Sequence, residues 1–180
     1  LYIIKEKNSY FWYLNMTIHL KKYIVPETVC VSKEPTTKPL VMEKIAEIAS
    51  SGRENSEWLK HIIFSGLQTR EMLGSTALTR GLALPHCRIS EISDFIIGIL
   101  VSPEGVAYGS LDGKLSRVFV FVIAPKESGN EYLNVMAEIG AFLSKEENIM
   151  LLAECNDDEF LYQTFLKLWE EYVGDNSRNS

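Results

Sequence analysis

The run from Val118 to Ala124, closed by Pro125, is apolar at every position. A strand with one face in water alternates apolar and polar residues, whereas a strand covered on both faces does not. This run is therefore predicted as a central strand, and the chain must supply helices for both sides of the sheet that contains it.

Those helices are legible. Val41, Ile45, Ile48 and Ala49 share one helical face, and Ser51-Gly52 stops that helix. Asn55 or Ser56 is placed to cap the next, with Trp58, Leu59, Ile62 and Ile63 as its expected buried stripe. Leu133, Met136, Ala137, Gly140 and Leu143 form a third stripe; Leu161, Phe165, Leu168 and Tyr172 form another behind an Asn156 or Asp157 cap. A shorter helical piece is expected around Ile149 to Ala153. Gly81 to Leu84 and Phe95 to Val101 read as further strands. The fold class is α/β (α+β): a three-layer α/β/α single domain with a mixed central sheet flanked by helices. A chain of 180 residues with 46% apolar content can bury one core and is too short for two ordinary domains.

Composition excludes several functions. The net charge of −6, without clustered Lys and Arg, argues against sequence-independent nucleic-acid binding. Cys30, Cys87 and Cys155 are widely separated, which indicates neither a disulfide framework nor a zinc site, so the chain reads as cytoplasmic. No apolar run approaches the roughly 20 residues of a membrane-spanning helix, so no direct membrane insertion is expected. Residues 1–15 contain the aromatic stretch from Tyr10 to Leu14 and no signal-type cleavage site, and Met16 stands in the context of an initiator. The expected organisation is an upstream-derived or flexible extension over 1–15, a domain over 16–173 and a flexible polar tail over 174–180.

The chemistry concentrates in Arg70-Glu71-Met72-Leu73-Gly74-Ser75-Thr76 and, just downstream, Gly81-Leu82-Ala83-Leu84-Pro85-His86-Cys87. Pro85 fixes its own φ and offers no ladder donor, so the strand from Leu82 to Leu84 should end there and turn His86 toward a cleft. Neighbours in an extended segment point to opposite sides, so the Cys87 thiol should not meet the His86 ring. His19 and His61 lack metal-ligand spacing to other His, Asp or Glu residues, and no metal or cofactor is called for.

These residues resemble the type-2 IIA domains of the bacterial sugar phosphotransferase system, the mannitol/fructose family that includes the nitrogen-regulatory IIA proteins. The family pattern of an acidic residue, a spacer, an apolar residue and a Gly-Ile-Ala-Ile-Pro-His-like strand end is met by Glu71, Leu78 and Gly81 through His86, with Thr79 departing where Gly or Ala is usual. Glu104-Gly105-Val106, Leu111-Asp112-Gly113 and Leu133 with its following helix agree further. The family usually has a second histidine immediately before that leucine; this chain has Tyr132.

The resemblance implies a cytoplasmic phosphocarrier in which His86 takes a phosphoryl group on Nε2 from a histidine-phosphorylated carrier protein. The acceptor would be a IIB domain or a regulatory target protein, and the Tyr132 replacement leaves a non-catalytic binding domain as an alternative. Neutral imidazole keeps a lone pair at neutral pH and can attack phosphorus without a separate base. Arg70 is expected to stabilise the phosphoryl charge by bidentate donation, its alternative being a surface pair with Glu71. Gly74, Ser75 and Thr76 are expected to offer N–H groups and hydroxyls to the phosphate, although the same residues make an ordinary turn. Tyr132 can donate a hydrogen bond without carrying imidazolium charge, or can merely pack on its helix; losing one charged donor would cost about 2–3 kcal/mol of transition-state stabilisation.

Overall fold

The computed structural model describes residues 22–178, so the expectations for residues 1–15 and for His19 lie outside the described residues. At the centre, β4 (Ile96–Val106) and β5 (Ser116–Pro125) pair antiparallel, with Ile97 opposite Val122 and Val101 opposite Val118. β1 (Val29–Val31) lies parallel to β4 on its outer side. Along the other side of β5 run β2 (Leu82–Ala83) and β3 (His86–Ile89), end to end and both parallel to it. The sheet is mixed, in the order β1-β4-β5-β2, with β3 also on β5.

The unbroken apolar run in β5 serves two cores. Val118, Val120, Val122 and Ala124 face one, together with Ile97, Ile99 and Val101 of β4. Phe119, Phe121 and Ile123 face the other, with Ile96 and Leu100. The second face is covered by α1 (Lys38–Ser50) and α2 (Ser56–Met72), and the first by α3 (Gly129–Leu143), α4 (Glu146–Ala153) and α5 (Asp158–Arg178). This is the three-layer mixed α/β domain read from the sequence.

Several local expectations are corrected. Of the stripe expected in α2, Leu59 and Ile63 are buried, but Trp58 is 54% exposed and Leu67 takes its place. Adjacent helical residues diverge by about 100°, so Trp58 cannot share the narrow i, i+4, i+8 line that starts at Leu59. Of the stripe expected in α3, Leu143 is buried and Met136 packs on the core, but Leu133, Ala137 and Gly140 face outward, while Val135, Glu138, Ile139 and Phe142 face inward. These four also keep helical spacing, and the carboxylate at Glu138 hid them from a hydrophobic pattern. The strand does end ahead of Pro85, at Ala83, but a second strand unexpectedly starts at His86 on the same side of β5, because proline loses only its donor: the Pro85 carbonyl still accepts from Val122 N–H at 3.0 Å. Asn55 stands at the N-cap of α2 in a left-handed conformation, φ 52°, without a side-chain cap bond. Asp157 does cap α5, accepting from Phe160 N–H at 2.8 Å. That helix continues past Gly174 to Arg178, where a flexible tail was expected, and Asp175 pairs with Lys145 at 3.2 Å.

Two buried positions generate predictions. Gly98 sits in mid-β4 where an added Cβ would overlap the Thr28 carbonyl oxygen and the Phe121 ring. Gly98→Ala must displace backbone, and a loss of about 3 kcal/mol or more is expected in chemical denaturation. Glu138 is 5% exposed, its Oε1 has no hydrogen-bond partner among the described residues, and burial pushes its carboxyl up to about 7. The folded state therefore holds a proton that the unfolded chain releases, and this group's contribution falls as pH rises from its usual carboxylate range through about 7. Glu138→Gln should be more stable than the parent at pH 8 and converge with it near pH 4; equal stability at both pH values would contradict the assignment.

Candidate functional site

His86 opens β3 at the edge of the sheet, where β3 pairs only with β5 among the described strands. Cys87, the next residue, points into the α1–α2 core with 4% exposure, and burial pushes its thiol up to about 12, so it is no nucleophile. His86 accordingly points to the opposite face, toward α3.

Both ring nitrogens of His86 are engaged. Nδ1 lies 2.8 Å from the carbonyl oxygen of Leu84, and Arg70 Nε–H donates to Nε2 at 2.8 Å. A carbonyl accepts only from N–H and a guanidinium only donates, so the two contacts together require the neutral Nδ1–H tautomer with its lone pair on Nε2. Electrostatics agree. Burial lowers the His86 pKa, and the Arg70 charge lowers it further, against opposing effects from the Leu84 carbonyl and Glu71.

Arg70 comes from the last turn of α2, where a cation also suits the helix dipole. Its Nη1 donates to the Gly74 carbonyl at 2.9 Å, which Gly74 can present because it adopts φ 150°. Glu71 does not pair with Arg70. Its side chain, 7% exposed, bonds Lys38 Nζ at 2.6 Å and accepts from Thr76 N–H and from the Thr76 hydroxyl. Burial alone would raise the Glu71 pKa; the Lys38 and Thr76 bonds outweigh it and hold the carboxylate below its usual range. Lys38 in turn stands 4.7 Å from the Tyr108 ring centroid. Nothing in the sequence marked Lys38 for this place.

The expected phosphate-binding loop has a different office. Thr76 gives its N–H and hydroxyl to Glu71, the Ser75 hydroxyl donates to the Tyr108 carbonyl, and Gly74 presents its carbonyl to Arg70. None of the three lines the cleft around His86. They hold the end of α2 in place.

That cleft, about 570 Å³ and open to solvent, is lined by Arg70, His86, Arg88, Lys126 and Tyr132 among others. The Tyr132 ring, half-buried on α3, has its centroid 6.3 Å from that of His86. Arg88, two residues beyond His86, was not singled out in the sequence; its Cζ lies 5.3 Å from the centre of the Tyr132 ring. The sequence-predicted trio of His86, Arg70 and Tyr132 thus meets in one place.

Such an arrangement, a neutral imidazole whose Nε2 lone pair accepts from a guanidinium at the rim of an α/β/α sandwich, is suited to receiving an anionic group. Residues 23–168 match the family described as phosphoenolpyruvate-dependent sugar phosphotransferase system, EIIA 2, and the chain belongs to that family. It is 31% identical over 146 residues to a nitrogen regulatory protein of Pseudomonas aeruginosa, covering 81% of this chain and 94% of that one. It is also 31% identical over 126 residues to the mannitol-specific phosphotransferase enzyme IIA component of Bacillus subtilis, covering 68% and 85%. Its fold is similar to that of enzyme IIA-mannitol of Escherichia coli in complex with phosphorylated enzyme IIB-mannitol: TM-score 0.62, 21% identity, 81% and 95% covered.

The tautomer and its electrostatics are directly measurable. Nitrogen-15 NMR should find His86 as Nδ1–H with a titration midpoint below the usual histidine value of about 6.5. Arg70→Gln should raise that midpoint and Glu71→Gln should lower it, since the two charges act with opposite sign. Because the folded value is depressed, the His86 contribution to stability is complete above the unfolded value and is lost as pH falls through the folded one. A midpoint at or above the usual value would contradict the geometry.

Proposed function

We propose that His86 is the phosphoacceptor of a IIA phosphocarrier in the phosphoenolpyruvate-dependent sugar phosphotransferase system. The donor is a histidine-phosphorylated carrier protein and the acceptor a IIB domain, with the exchange taking place in the cytoplasm. The observation that carries this reading is the pair of bonds on one ring, Leu84 carbonyl on Nδ1–H and Arg70 Nε–H on Nε2. Together they fix which nitrogen is nucleophilic and put a guanidinium on it.

The step balances without a base. The Nε2 lone pair forms an N–P bond as the donor's N–P bond breaks, and that bond's electron pair returns to the donor imidazole, which leaves neutral if its other nitrogen carries a proton. His86 keeps its Nδ1 proton, and the positive charge that develops on its ring is stabilised by the Leu84 carbonyl. Arg70 plays two parts in sequence. At rest its Nε–H occupies the lone pair that must attack, so the guanidinium has to release Nε2 and take phosphoryl oxygens as the donor arrives. Its Nη1 bond to Gly74 and the Glu71–Lys38–Thr76 assembly beside it keep that movement short. Phosphoryl transfer asks chiefly for positioned positive charge, and this is what the residues supply.

A second reading is favoured by one observation, the 31% identity to a nitrogen regulatory protein along 94% of its length. Here phospho-His86 is a mark rather than cargo: nearly two added negative charges in the cleft change which partner proteins bind. The retained Arg70–His86 bond argues against a domain that has lost the chemistry, since plain binding has no need of a nucleophile held in one tautomer.

The test is incubation with phosphoenolpyruvate, enzyme I and the histidine carrier protein, followed by intact-mass analysis. One acid-labile phosphoryl group is expected, absent in His86→Ala and formed about 10²–10³-fold more slowly in Arg70→Gln. Discharge of phospho-His86 by a IIB protein supports the carrier, and persistence with altered partner binding supports the switch. No phosphoryl gain with several carriers would overturn both readings.

A further inference from the structure

Arg70 is only partly available to a phosphoryl group. One of its nitrogens is held by the Gly74 carbonyl, and it reaches His86 from the α2 layer around the sheet edge. A phosphoryl group on Nε2 would carry nearly two negative charges over three oxygens, more than one tethered guanidinium neutralises.

A second guanidinium stands close by. Arg88 lies two residues beyond His86 on β3, so both side chains leave the same face of the strand, with Cα atoms about 7 Å apart. Arg88 is exposed, lines the same cleft and, among the described residues, has no carboxylate partner. Of the other charged groups lining that cleft, Lys126 adds positive charge and Glu91 accepts from the Ser90 hydroxyl at 3.0 Å. What holds Arg88 is the Tyr132 ring, 5.3 Å from its Cζ, whose quadrupole attracts a cation over its face. The same ring lies beside His86. Tyr132 therefore bridges the nucleophile and a cation that is otherwise free to swing into solvent.

We infer that Arg88 is a second phosphoryl-binding guanidinium of the site and that Tyr132 is its positioning residue, acting through its ring as a shelf rather than through its hydroxyl as a donor. The inference rests on His86 being the phosphoacceptor. Arg70 approaches the phosphoryl oxygens from the α2 side and Arg88 along β3, so that two planar, permanently charged groups share the charge that one cannot. The positive charge absent at position 132 is thereby supplied from position 88, with the aromatic ring fixing its direction.

Rates of phosphorylation by the phosphorylated histidine carrier protein test this, alongside phosphorus-31 titration of the phosphorylated forms. Arg88→Gln should slow transfer by about tenfold to a hundredfold, the size of one charge-assisted hydrogen bond. Tyr132→Leu should fall to the same level, Tyr132→Phe should recover most of that loss, and the double variant Arg88→Gln/Tyr132→Leu should be no slower than either single one. The titration midpoint of phospho-His86 should move up in Arg88→Gln and Tyr132→Leu, because removing a nearby cation weakens the ionised phosphoryl form. Arg88 is exposed, so its replacement leaves the core intact, and thermal unfolding of each variant verifies this. A parent protein that is phosphorylated while Arg88→Gln matches its rate, or slows without a shift of the midpoint, overturns the inference and leaves His86 as acceptor. Tyr132→Phe as slow as Tyr132→Leu overturns it too, by assigning the role to the hydroxyl. A parent protein that takes no phosphoryl group overturns the acceptor and the inference together.

Discussion

The pairing of β4 with β5 is the constraint on which everything else hangs. Its side chains go alternately into two cores, so neither face can be left to water, and the helices before and after the sheet are committed to opposite layers. That division decides what can meet at the sheet's edge. Arg70 belongs to the layer of α2 and Tyr132 to the layer of α3, and β3 on the flank of β5 is the place where a residue from each can reach one side chain. The site is a consequence of layering: a residue of a central strand would have been walled off by both.

Pro85 refines that placement. It removes one ladder donor between β2 and β3, yet its carbonyl keeps the chain on β5, so the ladder is interrupted without the chain leaving the sheet. Across this break the Leu84 carbonyl lies within reach of the His86 ring two residues later, and this short-range bond selects the tautomer. Backbone geometry decides which imidazole nitrogen is nucleophilic, and a side chain from 16 positions upstream then covers that nitrogen.

Much of this was legible in the sequence, and the misses have physical reasons. Seven apolar residues in a row left little choice about β5, and the layers followed from it. The family pattern marked His86 and, by its departure, Tyr132, while Arg70 was read as a candidate from the chemistry of its guanidinium. What escaped was set by three-dimensional context. The inward stripe of α3 contains Glu138, so the expected stripe caught only Leu143 and the half-buried Met136 of the core face and otherwise ran outward through Leu133, Ala137 and Gly140. Gly74, Ser75 and Thr76 had a composition fit for binding an anion; Thr76 bonds the Glu71 carboxylate of the same chain, while Gly74 and Ser75 bond Arg70 and the Tyr108 carbonyl. Lys38 could not be found by spacing, since it acts across the α1–α2 contact; Arg88 shares a strand face with His86 at a spacing of two, but the expected strand end at Pro85 hid that.

The electrostatic design of the cleft bears on whether phosphorylation moves cargo or sets a mark. The chain as a whole is acidic, with a net charge of −6, yet Arg70, Arg88 and Lys126 gather around a His86 that burial and the Arg70 charge keep neutral. A local positive field in a negative molecule attracts an anionic group to one spot and repels it elsewhere. If His86 takes the phosphoryl group as proposed, the cleft, in which Arg70, Arg88 and Lys126 outnumber Glu91, goes from net positive before transfer to close to neutral or reversed after it. A partner that reads the surface beside β3 therefore meets two different proteins. Carrier and switch then need no separate machinery: a short stay of the phosphoryl group makes the change of charge a step in transfer, and a long stay makes the same change a signal. Under the proposed function, what would distinguish the two roles is the rate at which a partner removes the group, and that rate would depend on how firmly the guanidiniums around His86 hold its oxygens.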